Sequence, residues 1–325
     1  MLMSRRPLIM LILLVAAPMT IWFALIQGSL DIGAAQLWQS LRGNADHATA
    51  YQVIHELRLP RALSAFAVGG LLALSGALLQ VLLRNPLADP YVLGISGGAA
   101  VAALLSMLGG LGIGWIRGNA FLGALASMML VFGLSRLGAA WTHNRLLLTG
   151  VVMAAGWGAL ISLILALAPS AQVQSMLFWL IGDMSYSTQP GMALLALMGG
   201  LAVSLWLARA LNLLLRGENT TAALGENPVY LRFVIYLVAS LLTAMAVTLA
   251  GSVGFVGLVI PHLLRLLGGS DHRFLLPACV LLGGGFLTVA DTLARSWTAP
   301  VPLPVGVITA LLGVPVFLFL LVRSR

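Results

Sequence analysis

The chain has 325 residues, of which 60% are hydrophobic and only 8% charged, and its mean hydropathy is +1.04. Soluble proteins carry about 25% charged residues, so this composition excludes a soluble globular protein and indicates a protein of the lipid bilayer. The net charge of +8 comes from arginines that stand mostly singly between apolar blocks, which argues against a nucleic-acid-binding surface.

Ten apolar stretches are each close to the roughly 20 residues that a helix needs to cross a bilayer. In chain order they are 8–27, 60–83, 92–109, 118–137, 145–168, 190–211, 231–250, 251–267, 274–294 and 304–322. The seventh and eighth are separated only by the turn signal at residues 251–254. We therefore expect an all-α, polytopic membrane protein that forms one domain over residues 1–325.

The distribution of arginines predicts the orientation of these spans. Ten spans place both termini on one side of the membrane. With the N-terminus inside, twelve arginines lie in inner segments and five in outer ones. Because inner loops carry the excess of basic residues, both termini are expected in the cytoplasm. Arg5 and Arg6 then flank an anchor helix, since no Ala-x-Ala cleavage site of an export signal follows the first span.

Two long loops connect the spans. The outer loop 28–59 is polar and is expected on the surface. The inner loop contains helix formers at 213–229, bounded by Gly217, Gly225 and Pro228. This pattern predicts one or two short helices outside the membrane, where they could contact a soluble partner.

The chain lacks its own means of using energy. All 17 basic residues are arginine, whereas the phosphate-binding loop of conventional ATPases requires a lysine. The stretches 146–182, 184–208 and 233–261 contain no acidic residue, arginine or histidine, although ion-coupled carriers keep ionisable groups at mid-membrane. The protein is therefore expected to depend on a separate ATPase.

The sequence predicts neither a metal site nor catalytic residues. The residues after His55-Glu56 do not complete the zinc-binding pattern His-Glu-x-x-His, and the five histidines have no ligand spacing. Surface solvation explains His47 and His55, with transient contact to a metal-bearing substrate as the alternative. A membrane enzyme is disfavoured, while a carrier or channel that works without ATP remains the alternative to an ATP-driven transporter.

Five motifs then resemble one family in order and spacing. They are Leu57-Arg58-Leu59-Pro60-Arg61, Arg84-Asn85-Pro86-Leu87-Ala88-Asp89-Pro90, Gly254-Phe255-Val256-Gly257-Leu258-Val259-Ile260-Pro261-His262, Ala290-Asp291-Thr292-Leu293-Ala294-Arg295 and Leu303-Pro304-Val305-Gly306. Together they resemble the permease subunits of type II ABC importers for iron-siderophores, haem and vitamin B12.

This resemblance implies the vitamin B12 permease-like fold and a multi-subunit complex in the bacterial cytoplasmic membrane. Its parts would be two copies of this chain, or this chain with a close paralogue, two ATP-binding subunits and a substrate-binding protein. ATP and Mg would bind to the ATPase, and this chain would hold no cofactor of its own. Iron-siderophore is the favoured substrate, with haem and cobalamin as alternatives.

The resemblance also implies four groups of site residues. The residues that would couple the chain to the ATPase are Gly217, Glu218, Thr221, Ala222, Leu224 and Gly225. Those that would dock the binding protein are Arg58, Arg61 and Arg295, and those of the cytoplasmic gate are Thr142, His143 and Asn144. The translocation pathway would be lined by Thr149, Gly150, Ala154, Gly158 and Ser162. Thr221 and Arg216 depart from the family pattern, which has an alanine and an apolar residue there. Helix packing explains the small pathway residues equally well, and headgroup anchoring is the alternative for the arginines.

Overall fold

The computed structural model describes residues 2–28, 30, 32–42, 48–137, 143–185, 187, 190–297 and 303–323, and these contain helices but no strand. The α-helices are α1 (Leu2–Ile26), α2 (Ala34–Leu41), α3 (Ala48–Gln52), α4 (Leu59–Leu82), α5 (Ile95–Leu108), α6 (Ile113–Arg136), α7 (His143–Leu167), α8 (Ser170–Ile181), α9 (Pro190–Trp206), α10 (Ala208–Leu214), α11 (Glu218–Ala223), α12 (Pro228–Ala250), α13 (Val256–Gly268), α14 (His272–Ser296) and α15 (Val305–Arg323). A π-helical turn at Val53–Arg58 joins α3 to α4, and a 3₁₀ turn at Pro90–Leu93 precedes α5.

The apolar helices match the predicted spans in chain order. Six of the described helices are long and apolar enough to cross a membrane, and α9 with α10, bent by 57°, could form a seventh. The shorter apolar helices α5, α13 and α15 account for the remaining predicted spans. The all-α, polytopic class is thus confirmed, including the division between α12 and α13.

Two regions differ from the prediction. The sequence analysis did not predict α8, because its 12 residues are too few to register as a span and Pro169 separates it from α7. The loop 28–59 is largely helical where it is described, rather than an open polar loop. Leu37 and Ile54, both fully buried, form a small apolar core there with the end of α1, which explains why this segment folds against the bundle.

Helix α4 is the centre of the bundle. From Ala62 to Leu82 its side chains are buried almost without interruption, and it packs against α9, α12, α13 and α14. A helix that is apolar on all sides belongs inside a protein rather than at its surface. By contrast, α1 and α7 leave most of their length exposed.

Glycines allow the neighbours of α4 to come close. A Cβ atom added to Gly76 would lie 1.9 Å from the carbonyl oxygen of Gly257 in α13. One added to Gly69 would lie 2.2 Å from the carbonyl oxygen of Gly283 in α14. Since both obstacles are backbone atoms, no side chain can rotate away to make room. Close backbone contact through small residues is the main packing device of membrane helices.

We therefore predict that Gly76→Ala lowers stability by ~1–3 kcal/mol, the usual cost of overpacking. Gly133→Ala in α6 is the matched control, because a Cβ there meets nothing within 4 Å. Alanine is preferred over glycine by ~1 kcal/mol inside a helix, so the control should be neutral or stabilising. Thermal unfolding of the purified protein in detergent measures both, and equal midpoints would contradict the packing argument.

Candidate functional site

The predicted coupling segment forms a short helix outside the long apolar ones. Gly217 and Gly225 flank α11 with φ angles of 116° and 86°, which favour glycine. Thr221 is buried, and its hydroxyl donates to the Gly217 carbonyl over 2.8 Å, so the threonine is accommodated within the turn. Ala222 and Gly225 are exposed, and the side chain of Leu224 is 57% exposed. This face of the segment is therefore available for contact.

Glu218 instead faces its own chain. Its Oε1 lies 3.3 Å from Nη2 of Arg84 and 3.2 Å from Nη1 of Arg232. Arg84 follows the end of α4 and has a positive φ of 47°, and Arg232 is buried in the first turns of α12. One carboxylate thus connects α11 to both α4 and α12. The sequence pattern gave no sign of these contacts, because Arg84 is far from Glu218 in the chain and Arg232 lies on the next helix, beyond a turn.

The three predicted docking arginines come together at the opposite end of α4. They line one cavity of about 280 Å³, together with Gly28, Leu57, Ser185 and Ser187 among others. The guanidinium of Arg58 donates to the carbonyls of Leu25 and Leu30 over 2.7 and 2.6 Å. Arg58 is only 4% exposed, so it closes the C-terminal end of α1, whose last carbonyls lack partners within the helix.

Arg61 and Arg295 are also held by the chain itself. Arg61 donates from Nε and Nη2 to the two oxygens of Asp291 over 2.9 and 2.8 Å, a bidentate ion pair. Arg295 donates to the carbonyl of Ala24, while its Nε is buried without a partner. The cavity therefore holds three guanidinium groups, of which Arg61 is paired with Asp291 and also interacts electrostatically with Asp183, so positive charge remains in excess.

The predicted gate is only partly described. Thr142 lies outside the described residues, and His143 begins α7 but its side chain is not among those described. Asn144 is exposed in the first turn. Arg145 beside it donates to the carbonyl of Leu137 over 2.6 Å, which ties the start of α7 to the end of α6.

The predicted pathway residues fall on two sides of α7. Gly150 is buried, and a Cβ there would lie 2.7 Å from the carbonyl oxygen of Val92, so packing explains this glycine. Thr149 and Ala154 are half-buried. Gly158 and Ser162 are exposed, with the Ser162 hydroxyl donating to the Gly158 carbonyl over 2.9 Å.

The contacts at the junction between α12 and α13 were not predicted from the sequence. Between α12 and α13 the backbone is not helical, and the Tyr91 hydroxyl both donates to the carbonyl of Val253 and accepts its N–H, over 3.0 and 2.9 Å. Asp183, just after α8, donates its N–H to the carbonyl of Ala250 over 2.9 Å. Non-helical backbone inside a bilayer requires such internal partners. Only a glycine turn marked the position in the sequence.

Two carboxyl groups at the ends of helices have shifted pKa values. Burial raises the pKa of Asp89 to about 6, although its side chain accepts the N–H of Tyr91, which works in the other direction. Asp271 caps the start of α14. Partial burial would raise its pKa, but the Asn212 amide, the Arg273 N–H and nearby Arg6 more than compensate and lower it.

In the described residues, no group of three or more His, Cys, Asp and Glu side chains could hold a metal ion. His55 approaches the carbonyl of Ser40 within 3.2 Å and packs at a tilt against the ring of Tyr51. His47 lies outside the described residues. Substrate contact at either histidine therefore stays a prediction.

The structure is a bundle of apolar helices, with a small exposed helix at one end and an arginine-lined cavity at the other. This is the architecture of a polytopic membrane permease. The model of the FecCD transport family matches residues 12–323. The chain belongs to this family, as the sequence motifs predicted.

Named relatives and a solved structure agree with this assignment. An ABC transporter permease protein of Bacillus subtilis, YvrB, is 42% identical over 84% of this chain and 79% of its own length. The cobalamin import system permease protein BtuC of Halobacterium salinarum is 41% identical, with coverages of 85% and 75%. The hemin transport system permease protein HmuU of Yersinia pestis is 36% identical over 92% of both chains. The structure of a metal-chelate type ABC transporter in an inward-facing conformation superposes with a TM-score of 0.87, at 31% identity and coverages of 98% and 99%.

The ion pair between Arg61 and Asp291 provides a test of the arginine cavity. Asp291 is 2% exposed, so Asp291→Asn leaves a largely buried guanidinium without its charge partner, and removing one member of a buried pair costs ~3–5 kcal/mol. We predict a clear fall in the thermal unfolding midpoint. The double variant Arg61→Met, Asp291→Leu should lose less, because an apolar pair can replace a buried ion pair. A single variant as stable as the wild type would contradict the structural role of the pair.

Proposed function

We propose that this chain is the transmembrane permease of an ATP-driven importer that moves vitamin B12, haem or an iron-siderophore into the cytoplasm. The observation that supports this most strongly is the family match over residues 12–323, with cobalamin and hemin permeases among the similar proteins. The three long stretches without ionisable side chains disfavour the alternative, a carrier coupled to ions.

The proposed transporter contains two copies of this chain, two ATPase subunits and a substrate-binding protein, in the bacterial cytoplasmic membrane with both termini inside. ATP and Mg belong to the ATPase, and this chain performs no chemistry of its own. The exposed apolar side chains of α7 and α15, such as Leu148, Val152 and Leu311, supply surface for a second copy as well as for lipid.

Uptake by proteoliposomes tests the function directly. The permease is reconstituted with a candidate ATPase and binding protein from the same organism, and labelled cobalamin, haem and ferric siderophore are offered separately. We expect ATP-dependent accumulation of one of them, abolished by an ATPase variant that binds but does not hydrolyse ATP. Accumulation without ATP or partners would instead support a secondary carrier or channel.

We further propose that α11 is the main contact to the ATPase. The exposed face at Ala222, Leu224 and Gly225 suits a cleft in a partner, and apolar side chains that enter such clefts dominate binding energies. Glu218 then acts within the permease. By connecting α11 to α4 and α12, its carboxylate would pass a displacement of α11 to the centre of the bundle.

Two variants distinguish contact between α11 and the ATPase from transmission of a displacement of α11 to the bundle. Leu224→Asp should reduce copurification of the ATPase at least tenfold. Glu218→Gln should leave the ATPase bound but lower the substrate transported per ATP hydrolysed, because the ties to Arg84 and Arg232 weaken. Glu226→Gln, an exposed acid on the same loop, is the matched control and should do neither. Full copurification with Leu224→Asp would refute α11 as the contact.

Docking of the binding protein is proposed at the arginine cavity. Its excess positive charge suits an acidic side chain, which arginine holds bidentately. The buried hydrogen bonds of Arg58 give that residue a positioning role in the same cavity. The acidic group would therefore meet Arg295 and the exposed part of Arg61.

We predict that Arg295→Glu weakens docking of the binding protein at least tenfold, since loss of a buried charge partner costs ~2–5 kcal/mol. Arg42→Glu, an exposed arginine that lies over Trp38 and outside the cavity, should have little effect. Arg295→Gln and parallel unfolding measurements separate docking from stability. Wild-type affinity of Arg295→Glu at low and moderate salt would rule out docking there.

We propose the cytoplasmic gate at the start of α7 and the translocation pathway along this helix. Thr142, His143 and Asn144 of two copies are proposed to meet across the two-fold axis, and the exposed residues Gly158 and Ser162 to line the passage. Asn144→Cys in a Cys279→Ser background should crosslink the copies in one nucleotide state and less in another. Crosslinking that ignores nucleotide, or matches that of Arg209→Cys, would refute the gate.

A further inference from the structure

A cavity of about 400 Å³ lies beside the first turns of α1, at the end of the bundle that carries α11. Its lining residues are Arg6, Asn212, Leu215, Arg216, Ser270 and Asp271. They come from α1, from the end of α10 and from the loop between α13 and α14. Leu215 and Arg216 fall within the predicted helical segment 213–229, but none of the six is among the residues assigned to coupling, docking, the gate or the pathway.

The cavity offers hydrogen-bond donors to an anion. Arg6 donates from Nε to the carbonyl of Gly268 over 2.8 Å and from Nη1 to Asp271 over 3.2 Å. Its Nη2 has no partner among the described residues, and the side chain is 21% exposed. Arg216 is exposed, and its guanidinium likewise has no partner there. Two arginines with unused donors therefore face one space.

The single acid in the cavity does not cancel this charge. One oxygen of Asp271 accepts from the Asn212 amide over 2.9 Å and the other from Arg6. Although partial burial opposes it, these contacts and the nearby Arg273 lower the pKa of Asp271, so it stays ionised and neutralises one arginine. The second arginine is uncompensated, and exposed Arg5 adds to the positive charge at the rim.

Neighbouring side chains indicate that the cavity lies at the level of lipid headgroups. Trp206 is 79% exposed at the bend between α9 and α10, and tryptophan is enriched at the membrane interface. The exposed apolar side chains of α1, such as Leu8 and Leu11, lie on the opposite face of that helix from Arg6, but Leu215, which is 44% exposed, lines the cavity itself. The cationic cavity therefore also offers an apolar contact to an acyl chain.

We propose that this cavity binds the phosphate headgroup of an anionic phospholipid, with Arg6 and Arg216 as its donors and one acyl chain against Leu215. Arginine's planar fork matches phosphate oxygens, and basic pockets between transmembrane helices are known to take such headgroups. A lipid is favoured over free phosphate because only a lipid also uses the exposed apolar side chain of Leu215.

Native mass spectrometry of the full-length, delipidated protein in detergent tests this site. Dioleoyl phosphatidylglycerol is added and compared with dioleoyl phosphatidylcholine, which has the same chains and no net charge. We expect wild type to retain more of the anionic lipid, and Arg216→Gln to reduce that retention at least threefold. Arg216 is exposed and forms no ion pair with another described residue, so the variant should fold.

Arg209→Gln is the matched control, because Arg209 is an exposed cation of α10 that does not line the cavity. Equal retention by wild type and Arg216→Gln, or equal losses in both variants, would overturn the proposal. Displacement of the lipid by millimolar inorganic phosphate would identify a free-phosphate site instead. If Arg216→Gln released the ATPase while lipid retention stayed unchanged, the cavity would be a protein contact and the lipid site wrong.

Discussion

The close approach of backbones around α4 is the constraint on which the rest of the structure depends. Lipid chains are as apolar as leucine, so burial of apolar surface adds little to helix association within a bilayer, and van der Waals contact must replace it. Gly69 and Gly76 allow that contact at two levels of α4, one against α14 and one against α13. Because α13 and α14 approach so closely, α4 connects one end of the bundle to the other with little freedom to move alone.

Because α4 is held so rigidly, the ion pairs at its two ends are connected through one helix. Arg61, in its first turn, holds Asp291 of α14. Just beyond its last turn, Arg84 holds Glu218 of α11. A displacement of α11 would therefore reach the arginine cavity through one packed helix rather than through flexible loops. Packed interfaces switch between discrete arrangements instead of deforming continuously, which is the behaviour that alternating access requires.

The sequence predicted the elements that rest on composition and local pattern. Apolar length identified the spans, and the turn at residues 251–254 separated α12 from α13. The glycines around residues 218–224 indicated a short exposed helix. These features are local, so a single chain segment contains the whole signal. The convergence of Arg58, Arg61 and Arg295 was suggested only by the family resemblance.

The features that the sequence could not predict depend on contacts between distant residues. Glu218 and Arg84 are far apart in the chain, and so are Tyr91 and Val253. A periodic pattern within one segment carries no information on which distant residues are in contact. Helix α8 was not predicted for another reason: its 12 residues between Pro169 and Gly182, four of them polar, are too few for a span and too apolar for a polar loop.

Several of the few charged groups share one use. Arg6 pairs with Asp271, Arg61 with Asp291, and Glu218 with both Arg84 and Arg232, and each pair joins two helices or their flanking loops near the ends of the bundle. Arginine suits this position, because its long apolar stem lies along the helices while its fork reaches carboxylates or carbonyls at the interface. A chain with no lysine is thus consistent with cations that must bind specific acceptors rather than only attract them. Where such a fork retains unused donors, as at Arg6 and Arg216, the structure leaves room for an anion from outside the chain.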